Sequence, residues 1–132
     1  MAKINVTGAA VVIVSTLKTE DIKTVQKYRP DSLTLYKGEG KDKTPVFRAG
    51  LTNGYGTIGN CGVSFGGTNA DGCAVATLLL PDNLPADKVK EYVSDNVGVH
   101  VLKLNELETQ IPAVLAEIAA EKATIAGMVT IQ

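Results

Sequence analysis

The feature that most constrains this chain is a ladder of apolar residues recurring every seventh position near its C-terminus: Val97, Leu104, Ile111, Ile118 and Ile125. Leu107, Val114 and Met128 fall on the interleaved rungs. Alternating steps of three and four residues gather side chains into one narrow seam of an α-helix. A seam that narrow suits a partner helix, so one reading is homo-oligomeric packing through Leu104, Leu107, Ile111, Val114 and Ile118. The other reading is that the helix covers its own sheet. Leu102, Leu115 and Ala119 widen the stripe as that would require. Glu121 occupies a seam rung and limits the ladder to about three clean repeats.

Pro112 lies within the ladder and removes a backbone donor. The sequence therefore predicts C-terminal helices over 86–110 and 113–126, kinked or divided near Pro112. Pro85 suits the first turn of the first of these, with Asp87 and Glu91 toward its positive end. The residues after Gly127, Met128-Val129-Thr130-Ile131-Gln132, are compatible with an edge strand.

Upstream the pattern is β-like. Residues 3–15 read as one long strand, with Ile4, Val6, Ala10, Val12 and Val14 on one face and Val11 and Ile13 on the other. Gly8 marks a bulge or bend within it. A short helix follows over 19–28, with Thr19 as N-cap, Ile22, Val25 and Tyr28 on its buried side, and Pro30 ending it. Residues 32–80 alternate strands and turns: Leu33–Tyr36, a polar loop over 37–43, Pro45–Ala49, a glycine-rich stretch, and a strand from Cys73 to Leu80 that belongs at the centre of a sheet. The expected fold is one α+β domain spanning 1–132. Its β-rich part (3–80) forms a small sheet or sandwich with one short helix, and its helical part covers 85–126.

Composition narrows the function. With 13 basic and 14 acidic residues the formal net charge is −1, which gives no electrostatic footprint for nucleic acid or an anionic membrane. The longest apolar run, Ala9–Val14, is far too short to span a bilayer, and the N-terminus has no signal-peptide pattern. Synthesis in the cytoplasm is the expectation. Cys61 and Cys73 are the only cysteines and read as small buried thiols in a reducing compartment.

The residues offer little to catalysis. Gly54-Tyr55-Gly56-Thr57-Ile58-Gly59 matches the dinucleotide pattern in letters, but Asn60–Gly67 after it cannot form the required helix, so turns between short strands explain it. His100 is the single histidine and reads as a packed or inter-subunit residue; at a symmetric interface its protonation would weaken assembly near pH 5. One His and two Cys leave an all-Cys/His zinc site short of ligands, and Asp71, Asp82, Asp87 and Asp95 lack calcium-loop spacing. No catalytic residue, cofactor or metal is expected. An enzyme with a cleft between subunits would have Tyr28, Arg29 and His100 to draw on.

Two segments carry a resemblance. One is Glu20-Asp21-Ile22-Lys23-Thr24-Val25-Gln26-Lys27-Tyr28-Arg29-Pro30-Asp31-Ser32-Leu33-Thr34-Leu35-Tyr36. The other runs from Leu102-Lys103-Leu104-Asn105-Glu106-Leu107-Glu108 into Ile111–Glu117. The order of helix, turn and strand, glycine-rich β region and C-terminal helices resembles small structural proteins of tailed phages and prophages, of the head decoration or head-fibre type. The resemblance implies a non-enzymatic virion protein, made in the bacterial cytoplasm, that self-associates (often as a trimer) and binds the capsid shell protein on the capsid exterior. A cytosolic oligomeric adaptor or regulatory module shares the same sequence traits and stands as the alternative.

Overall fold

The computed structural model describes residues 1–52 and 61–132. Gly8 has a φ of 60°, the left-handed value that glycine adopts without steric penalty. It turns the N-terminal segment back on itself, so 3–15 is a hairpin rather than one strand: β1 (Lys3–Thr7) pairs antiparallel with β2 (Ala10–Lys18), Thr7 facing Ala10 across two residues. A positive φ at the first of two loop residues is the geometry of a II′ hairpin turn. The register also corrects the expected faces. Ile4 lies opposite Ile13 and Val6 opposite Val11, so these four share the core-facing side, while Ala10, Val12 and Val14 turn outward.

α1 (Thr19–Tyr28) forms where expected and buries Ile22 and Val25. Glu20 and Asp21 occupy its first turn and Lys27 its last, each on the favourable end of the helix dipole. Thr19 is the first helical residue and not the cap. Lys18 holds the cap position without a side-chain bond, and the Thr19 hydroxyl instead shares a 2.6 Å hydrogen bond with the Thr68 hydroxyl. Pro30 opens a short 3₁₀ turn that leads into β3 (Thr34–Lys37).

β3 pairs antiparallel with β4 (Thr44–Leu51), which pairs in parallel with β5 (Gly62–Phe65). Gly66 carries the chain into a second sheet through β6 (Gly67–Thr68), and β7 (Cys73–Leu79) follows. The two sheets have the orders β3-β4-β5 and β1-β2-β7-β6. β7 is therefore an inner strand, as its apolar run predicts.

The C-terminal half is a long α-helical run. After a 3₁₀ turn, α2 (Val89–Val93) passes through a π-helical segment, Ser94–Gly98, into α3 (Val99–Met128), 30 residues long. The division expected as one outcome at Pro112 does not occur: α3 is continuous through it. A proline inside a helix costs about 3 kcal/mol. Burial of Leu104, Leu107, Ile111 and Ile118 along the same helix, at roughly 1.5–3 kcal/mol each, outweighs it. The irregularity falls instead at the π-helical segment, beside Gly98. Residues 129–132 are not a strand; α3 runs through Gly127, and the residues after it are exposed.

α1 and α3 pack against each other and against β2 and β4. The core joins Val11, Ile13, Ile22, Val25, Phe47, Phe65, Ala76, Leu104, Leu107 and Ile111 in one cluster. Glu108 and Asn105 of α3 tie down the edge hairpin. The Ala2 amide donates to Asn105 Oδ1 at 2.9 Å, and the Thr16 amide and hydroxyl both donate to Glu108 Oε2.

Candidate functional site

The seam residues are placed by α3, and they face inward. Leu104, Leu107, Ile111 and Ile118 are buried against the chain's own sheets and α1, and Val114 is half-buried against the same core. The ladder is therefore the core face of the helix, and the self-association surface read from it is covered within the single chain. The physical reason lies in the widened stripe. Leu115 also packs on the core, so the apolar side is broad enough to serve a sheet rather than one helix. Leu102 behaves differently: it points away from the core and is 65% exposed.

The ladder also ends where its polar rung predicts. Glu121 pairs with Arg29, at the C-terminal cap of α1. Beyond that ion pair every residue of the chain is exposed. Ile125 and Met128 thus stand on a helix end that extends past the core, and Val129 and Ile131 follow just after it. Lys27 and Lys122 lie over the Tyr28 ring, 5.1 and 5.4 Å from its centroid, so this aromatic lies among cations beside the ion pair.

At the other end of the helical run lies an open groove of about 800 Å³ between β1, α2 and the start of α3. Ile4, Val6, Val89, Val93, Val99 and Leu102 are among its lining, and Lys90 is the one ionisable side chain there. Large, apolar, concave surfaces are where proteins take ligands or partner segments.

The remaining candidates are spread apart. His100 is half-buried with its ring centroid 6.2 Å from that of Phe47, and loss of hydration lowers its pKa below the ordinary 6.5. Arg29 is engaged with Glu121, and roughly 30 Å of helix axis separates Glu121 from His100. Tyr28, Arg29 and His100 therefore do not line one pocket within the chain. Cys61 and Cys73 are both free, but Cys61 is exposed rather than buried. The Gly54–Gly59 motif lies outside the described residues. Among the described residues, no group of three or more His, Cys, Asp or Glu side chains is placed to hold a metal ion, and no helix is long and apolar enough to cross a membrane.

Sequence reasoning missed the groove. Its walls come from β1, α2 and α3, and only the hairpin turn at Gly8 brings β1 beside the helices. Val99 and Leu102, apolar but off the seam, were the available signal. Comparison with protein-family models, curated proteins and solved structures finds no match to this chain.

Proposed function

We propose that this protein is a non-enzymatic structural component of the tailed-phage kind, a head decoration or head-fibre protein that self-associates and binds the outer surface of a capsid shell. The observation that carries the reading is the placement of its open apolar surface. The groove, the protruding end of α3 and the residues just after it together expose Val6, Val99, Leu102, Ile125, Met128, Val129 and Ile131. Exposed aliphatic surface of that extent marks contact with other protein. The groove carries a single lysine and no acid–base pair, which suits docking better than chemistry. The capsid as partner rests on the resemblance of the Glu20–Tyr36 and Leu102–Glu117 segments.

The test is co-sedimentation with empty heads assembled from the major capsid protein encoded in the same genome. The expected result is saturable binding at a fixed number of copies per capsomer. Absence of binding to both compact and expanded heads would refute the capsid reading and leave the cytosolic adaptor. Sedimentation of the purified chain alone tests self-association separately, with an oligomer, a trimer above all, as the expected mass.

A further inference from the structure

We draw no further inference here: the strongest candidate, the open apolar groove between β1, α2 and the start of α3, carries nothing because nothing in the structure shows what covers it.

Discussion

Ile111 and Ile125 occupy equivalent rungs of one seven-residue ladder, on one helix, and in the same residue type. Their surroundings are opposite: Ile111 is 0% exposed and Ile125 is 59% exposed. Truncating each to alanine removes the same atoms and isolates the effect of burial. At Ile111 the loss is the transfer energy of the missing methyl groups plus the cavity left among Leu107, Ile118 and their neighbours, about 2–5 kcal/mol. At Ile125 little burial is lost, and alanine is the better helix former by a few tenths of a kcal/mol. The expected change there is within about 0.5 kcal/mol of zero. Urea unfolding followed by circular dichroism at low protein concentration reads the difference. With m near 1–3 kcal/mol/M, Ile111→Ala moves the midpoint down by about 1–3 M and Ile125→Ala leaves it in place. Equal losses at the two sites, or a loss under about 1 kcal/mol at Ile111, would refute the assignment of the seam to the chain's own core. A loss at Ile125 that grows with protein concentration belongs to assembly, because only a contact between chains makes stability depend on concentration.

Two further outcomes follow from the helix. Pro112 is exposed and sits inside continuous α3, so Pro112→Ala returns a backbone donor toward the Glu108 carbonyl and should stabilise the fold by about 1–3 kcal/mol, read as a rise in the urea midpoint; an unchanged or lower midpoint would count against an uninterrupted helix. His100 has its pKa lowered by burial from the ordinary 6.5, so the unfolded chain binds its proton at higher pH than the folded one. Its contribution is complete above about pH 6.5 and is lost as pH falls through the lower folded-state value. The effect is shallow because the ring is only partly buried, and a His100→Gln variant should flatten the slope of the urea midpoint between pH 7 and 5.

Much of the architecture was legible because its signals are local. The capping charges and Pro30 around α1, the β-branched run of β2 and the aliphatic run of β7 each set their own segment. The hairpin at Gly8 was hidden because glycine marks a bulge and a II′ turn equally in sequence. Which one forms is decided by whether the two halves pair, here Ile4 with Ile13 and Val6 with Val11. The helix is not divided at Pro112 for a related reason: the proline penalty is local and fixed, whereas the burial that outweighs it comes from sheets and a helix far away in sequence. The self-association residues were read from period alone, and period does not say which chain supplies the opposite surface.

The ladder holds two regions divided by one residue. Through Ile118 its rungs insert into the core formed with α1 and the sheets. Glu121 then reaches Arg29, and a charged pair 33% and 55% exposed contributes little to stability. Its position is informative, because among the described residues it is the last rung of the α3 seam with a recorded side-chain partner elsewhere in the chain. A helix that served only the core would gain nothing from two more apolar rungs past that point; exposed Ile125 and Met128 invite non-specific association. Continuation of the same pattern beyond the ion pair therefore makes sense if the helix serves two surfaces in succession, its own sheets first and another molecule next.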